Sequence, residues 1–134
     1  MMYENNFYKT FDGTLDVEFL FVDTGPDNGW RAYIISDINY KRVARNRSDS
    51  CSDIHRLTEN DSSRLEKIRR FIQSTREGYP QDKPIHYICW TEKIYDLAKM
   101  RNVAKAWCEI TAYYIKNGGS FERIQATLKS RGLI

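Results

Sequence analysis

Apolar residues at Leu15, Val17, Phe19 and Phe21 alternate with Asp16 and Glu18. A period of two is that of a strand with one buried face. Leu20 and Val22 break the alternation, so the far end of this strand is expected to be covered on both sides. Asp12-Gly13 precedes the run, and both residues tolerate positive φ, so 7–11 and 14–23 read as the arms of a hairpin. The breaker-rich segment 24–29 is a loop. Residues 30–36, WRAYIIS, then form a third strand and complete an antiparallel meander. A further apolar run, IHYICW at 85–90, reads as another strand.

The helical pattern takes over elsewhere. Leu65, Ile68, Phe71 and Ile72 form one apolar stripe. Ser63 and Glu66 fit a capping box in which Glu66 reaches back to the Ser63 amide, while Gly78 and Pro80 supply a stop. A helix is therefore expected over 63–77. Thr91 is the expected N-cap of a long helix over 92–117, with Glu92 and Asp96 at the positive end of its dipole. Leu97, Met100, Ala104, Trp107, Cys108, Thr111 and Ile115 run down its core side, widened by Val103, Ile110 and Tyr114. Asp96, Lys99, Lys105, Glu109 and Lys116 lie opposite. Ser120 caps a last helix, 121–131, with Phe121, Ile124 and Leu128 as its apolar line. Residues 37–60 show no period and read as a long basic loop with a short strand at 53–57. A loop of that length is either functional or partly disordered. The fold class is α+β: an antiparallel sheet of three to five strands, packed on one face by the 92–117 helix, with the two other helices at its sides. It forms a single domain over 1–134, and Trp107 is the expected centre of the core.

Composition narrows the class. The chain has 134 residues, of which 41% are hydrophobic and 29% charged. That length supports a core without a disulfide or a metal. No apolar stretch approaches the ~20 residues of a bilayer span, which excludes a membrane protein. The N-terminal residues are polar and lack a signal-peptide pattern. Cys51, Cys89 and Cys108 include no CxxC pair and read as reduced thiols in a cytoplasm. The net charge of +3 conceals a gradient: −5 over 1–40, +5 over 41–76 and +3 over 77–134.

Candidate chemistry is sparse. Cys51, His55, His86 and Cys89 are residue types that bind zinc, but strand alternation sends His86 and Cys89 to opposite faces. A Cys–His nucleophile pair would need His55 beside Cys51 or Cys89, and nothing in the spacing brings them together. Asp49, Asp53, His55 and Glu59 could hold a divalent ion in a hydrolase, but their spacing matches no motif with a mechanism. No catalytic residue, cofactor or metal is therefore assigned, and the reading is non-enzymatic. The basic set is the main candidate. Lys41, Arg42, Arg45, Arg47, Arg64, Lys67, Arg69 and Arg70, with Arg56, could contact the phosphates of DNA or RNA. Tyr33 and Tyr40 would offer stacking. Against this stands the interleaving of five acids and the common role of charged faces as solvated surface. The aromatic set Tyr8, Phe19, Phe21, Trp30, Tyr33, Tyr87 and Trp90 is core unless one sheet face is open, when it would bind protein.

Two stretches carry a resemblance. WRAYIISDINY (30–40) with IHRLTE (54–59), and YICWTEKI (87–94) with AKMRNVAKAWCEITAYYIKNGGSF (98–121), resemble small accessory proteins encoded on conjugative elements and prophages of Gram-positive bacteria. In those proteins the His-Arg-Leu-Thr segment leads almost directly into the Tyr-x-Cys-Trp strand, whereas here a basic helix over 61–78 intervenes. The resemblance implies a mobile-element accessory protein of a bacterial cytoplasm and transfers no catalytic residue. The expected function is nucleic-acid binding through 41–76. The alternative is a protein–protein module or homodimer that modulates a host or mobile-element protein.

Overall fold

Val17, Phe19 and Phe21 project to one side of the second strand and Leu20 and Val22 to the other, and all five are buried. A strand buried on both faces has to lie inside a three-layer structure, and the sheet is built around it. The computed structural model describes residues 3–76 and 82–134. Its strands are β1 (Tyr3–Lys9), β2 (Asp16–Asp23), β3 (Trp30–Ile34), β4 (Arg56–Thr58) and β5 (His86–Ile88), and its helices are α1 (Ser62–Thr75), α2 (Leu97–Asn117) and α3 (Phe121–Ser130). The five strands form one sheet in the order β1-β2-β3-β5-β4, and every pairing is antiparallel. The fold is α+β, as the pattern implied.

The first layer is α2 with α3 against it. Trp107, Cys108, Ile115 and Phe121 meet Val17, Phe19, Phe21 and Ala32 in one cluster. Trp107 is fully buried, stands edge-on to Phe19 and donates its indole N–H to the Ile54 carbonyl at 2.9 Å. Burial drives the Cys108 thiol well above its ordinary pKa, so this cysteine is a small apolar filler. On the opposite face, Ile68 and Ile72 of α1 meet Leu20, Val22, Tyr33 and Ile85. Thus α1 does not flank α2 at its side but covers the other face of the sheet. This accounts for the broken alternation at Leu20 and Val22.

Several boundaries differ from the sequence reading for identifiable reasons. The first strand begins at Tyr3, not Phe7, because its polar first half pairs with the fully buried β2. Helix α1 is capped by Asp61, whose Oδ1 accepts the Arg64 N–H at 2.9 Å. Ser63 is not the cap, and Glu66 pairs with Arg70 one turn on. The stop assigned to Gly78 and Pro80 lies outside the described residues. The long helix begins at Leu97, not residue 92. Ile94 is buried and accepts the Trp30 N–H at 2.7 Å in an isolated bridge, which holds the preceding segment extended. Asp96 then caps α2 through the Ala98 N–H, 2.9 Å. Gly29 belongs to the same clasp: its φ is +69°, and a Cβ there would meet the Ile94 carbonyl oxygen at 2.4 Å.

Truncating Trp107 removes both a ring and the anchor of residue 54. Trp107→Ala is expected to cost about 3–5 kcal/mol. Trp107→Phe keeps most of the volume but strands the Ile54 carbonyl, at about 1–3 kcal/mol. Urea midpoints should fall in that order, and an unchanged midpoint for Trp107→Ala would remove it from the centre of the core.

Candidate interaction surface

The basic residues of 41–76 are largely spoken for within the molecule. Arg47 lies across the C-terminal end of α2, its Nε donating to the carbonyls of Tyr114 (3.1 Å) and Ile115 (3.2 Å) and its Nη2 to that of Lys116 (3.1 Å). A cation on the last carbonyls complements the helix dipole. Arg42 donates to the Thr14 carbonyl at 2.8 Å. Arg56 stacks over Tyr40 at 5.0 Å and bonds both its hydroxyl and the Asp49 carbonyl. Lys41 stands 4.0 Å from Asp49, Arg70 pairs with Glu66, and Arg69 reaches the Lys83 carbonyl at 3.4 Å. Lys41, Arg42, Arg45, Lys67 and Arg70 are exposed. Tyr33 and Tyr40 are buried, so neither offers a stacking surface.

Arg64 joins a separate network centred on Glu59, whose side chain is 1% exposed. The Glu59 Oε1 accepts Arg31 Nη1 at 2.7 Å, Tyr33 Oη at 2.6 Å and Arg64 Nε at 2.8 Å. Its Oε2 takes the amides of Asn60 (3.1 Å) and Asp61 (3.3 Å), and Arg31 stacks over Tyr87 at 4.3 Å. Burial pushes the Glu59 carboxyl up. The bonds from Tyr33, Arg64 and the Asp61 amide and the charge of Arg31 outweigh it, leaving the pKa below the ordinary carboxylate value. Burial and the neighbouring carboxylate raise the Tyr33 hydroxyl, so it stays protonated and donates. Asp49 and Asp53 lie away from this carboxylate in the exposed part of the preceding loop, so the four-residue acidic cluster does not gather.

A groove of about 640 Å³ opens where β4 and β5 meet the start of α3, lined among others by Cys51, His55, Leu57, Cys89, Trp90 and Glu122. His55 has φ +48°, unlike every other non-glycine among the described residues. Its Nε2 lies 2.9 Å from Glu122 Oε1, its ring packs on Phe121, and its carbonyl accepts the Cys89 N–H at 2.9 Å. The fold thus brings Cys51, His55 and Cys89 to one groove, with His86 on the neighbouring strand. Cys51 Sγ contacts Thr58 Oγ1 at 3.7 Å, and no thiol bonds the imidazole. Among the described residues no three His, Cys, Asp or Glu side chains are placed to hold a metal ion.

The remaining feature is the outer edge of β1. The Thr10 N–H donates to the Leu15 carbonyl, which directs the even-numbered positions of β1 toward β2. The odd positions, Tyr3, Asn5, Phe7 and Lys9, therefore present their backbone groups outward. Consistent with this, the Phe7 N–H is taken by the neighbouring Asn6 Oδ1 at 2.9 Å, and among the described residues no strand lies beyond it. Tyr3 is 56% and Phe7 62% exposed, and Phe11 beyond the strand more so. The strand itself is firmly held: Arg101 Nε binds Glu4 at 2.7 Å, Tyr8 Oη binds Glu109 at 2.6 Å, and Asn5 Nδ2 binds the buried Glu18 at 2.9 Å. At the other end of the sheet, β4 is only three residues long, and the amides of Arg56 and of Ile54 just before it turn back to the carbonyls of Cys51 and Ser50.

No family model, curated protein or solved structure matches the chain. Among the described residues no helix is long and apolar enough to cross a membrane. The aromatic residues singled out from the sequence turn inward or half inward, and among the described residues the exposed aromatics are Tyr3, Phe7, Phe11 and Tyr95. Only the pairing of a polar segment with β2 makes Tyr3 and Phe7 an edge, and no local pattern announces that.

Removing the carboxylate tests the Glu59 network. Glu59→Leu should cost about 3 kcal/mol, the low end for breaking a buried pair, because both guanidinium groups reach solvent. The folded-state pKa of Glu59 is depressed, so its contribution is full above the unfolded value of about 4.3 and is lost as pH falls through the folded value. Urea unfolding from pH 7 to pH 3 should show the gap between wild type and variant narrowing toward the acid end. A gap independent of pH would mean the charge contributes nothing.

Proposed function

We propose that this protein is a protein-interaction module that works by accepting an additional strand on β1. The observation that carries the reading is an open, seven-residue edge strand with exposed Tyr3 and Phe7. Long edges with apolar side chains are what natural proteins cover or blunt unless a partner uses them. Strand addition takes affinity from main-chain hydrogen bonds and specificity from alternate side chains. A partner strand would meet Tyr3 and Phe7 on the α1 side of the sheet and Asn6 and Tyr8 on the α2 side. The three unpaired cysteines support a cytoplasmic setting. The intramolecular partners of Arg42, Arg47, Arg56 and Arg64 weigh against nucleic-acid binding through 41–76, because each takes up donors that a phosphate would otherwise use.

The test is a peptide-display selection against the immobilised protein. Enriched peptides should be extended, with apolar residues at alternate positions. Their binding should be lost in Phe7→Pro, which removes an outward N–H while sparing the β1–β2 ladder. Binding that survives Phe7→Pro would place the interaction elsewhere.

A further inference from the structure

We infer that the strand accepted by β1 is β1 of a second copy of this chain, antiparallel to the first, with the two-fold axis at Asn5. This rests on the reading of β1 as the interaction surface and names its occupant. A two-fold interface requires a patch complementary to itself. Tyr3 and Phe7 stand two positions either side of Asn5, and all three direct their backbone groups outward. Antiparallel pairing about Asn5 sets Tyr3 of each copy against Phe7 of the other. Both exposed rings are then covered by aromatic cross-strand pairs, a favourable combination in antiparallel sheets.

The neighbours of the axis suit this register. The Asn5 amide is turned inward, donating to Glu18 Oε2 at 2.9 Å and the Phe19 carbonyl at 3.0 Å, so it leaves the axis clear. Glu4 falls opposite Asn6, and its charge is already matched by Arg101. No like charges are directly opposed among residues 3–7, and the two Glu4 side chains, diagonal neighbours across the axis, are each held by their own Arg101. The Phe7 N–H exchanges the Asn6 side chain for the Tyr3 carbonyl of the second copy. Tyr3 keeps its edge-on contact with Phe71 of α1, centroids 5.2 Å apart, so the ring enters the pair already supported. Pairing about Asn6 would instead oppose Phe7 to Asn5 and Tyr3 to Lys9, with no aromatic match. The product is one continuous ten-stranded sheet, five strands from each copy.

Sedimentation equilibrium over a wide concentration range should show a monomer–dimer equilibrium. Phe7→Lys should weaken it by on the order of tenfold, through loss of both aromatic pairs, with the melting temperature unchanged at concentrations where both chains are monomeric. Register is read by cross-linking in a Cys51→Ser, Cys89→Ser background. Directly opposed residues of a hydrogen-bonded pair have Cα atoms about 5.5 Å apart, within disulfide reach. A mixture of Tyr3→Cys and Phe7→Cys chains should oxidise to a mixed disulfide, and neither variant should cross-link alone. A Phe7→Cys chain that cross-links to itself overturns the Asn5 axis. A chain that stays monomeric throughout overturns the second copy. If selected peptides still bind that monomer through β1, strand addition stands and only its occupant is wrong.

Discussion

A carboxylate removed from water stays charged only when its surroundings replace the lost hydration, and Glu59 is placed where three elements supply that replacement. Arg31 and Tyr33 come from β3, Arg64 from α1, and two amides from the turn between β4 and α1. The same carboxylate thus fixes how α1 enters, which face of the sheet it covers and how the short β4 is held in register. A five-membered shell around one charge is directional in a way that the apolar contacts of Ile68 and Ile72 are not. Hydrophobic burial holds the α1 layer down, and the ionic cluster sets its position.

The irregular segment before β4 follows a second logic. It has no period of its own, yet it is pinned at intervals. Tyr40 and Ile54 are buried, Arg47 spans the end of α2, and the Tyr114 hydroxyl donates to the Ser48 carbonyl at 3.1 Å. Its arginines act as struts between a loop and the carbonyls it passes. Part of their hydrogen-bonding capacity is thereby taken up inside the molecule, while the charge itself remains.

The sheet, the three helices and nearly all of the α2 core line were legible because periodicity reports burial directly. Trp107, Cys108 and Ile115 stand where the 3.6-residue stripe puts them. Ser120 caps α3 as its position beside Phe121 implied. What was illegible depended on partners distant in sequence. Tyr3–Lys9 is a strand only because β2 is beside it, and residues 92–96 are extended only because Ile94 meets Trp30. Asp61 outcompetes Ser63 as a cap through its link to the Glu59 turn, beyond the view of a four-residue motif. The basic residues showed their identity in the sequence but not their engagement, since a guanidinium bound to a carbonyl and one facing solvent are spelled alike.

The burial of β2 on both faces has a consequence for folding. Val17-Glu18-Phe19-Leu20-Phe21-Val22 is short, rich in β-formers, low in charge and free of proline, the composition that stacks into cross-β aggregates when exposed. In the native state it has strands on both sides and a helix layer on each face. A partly folded chain lacking α1 would bare Leu20 and Val22 beside Tyr33. Its single gatekeeper is Glu18, buried against Asn5 and Arg76. Aggregation from a chain in that state would depend on how quickly α1 docks, a kinetic exposure that the stability of the finished fold does not reveal.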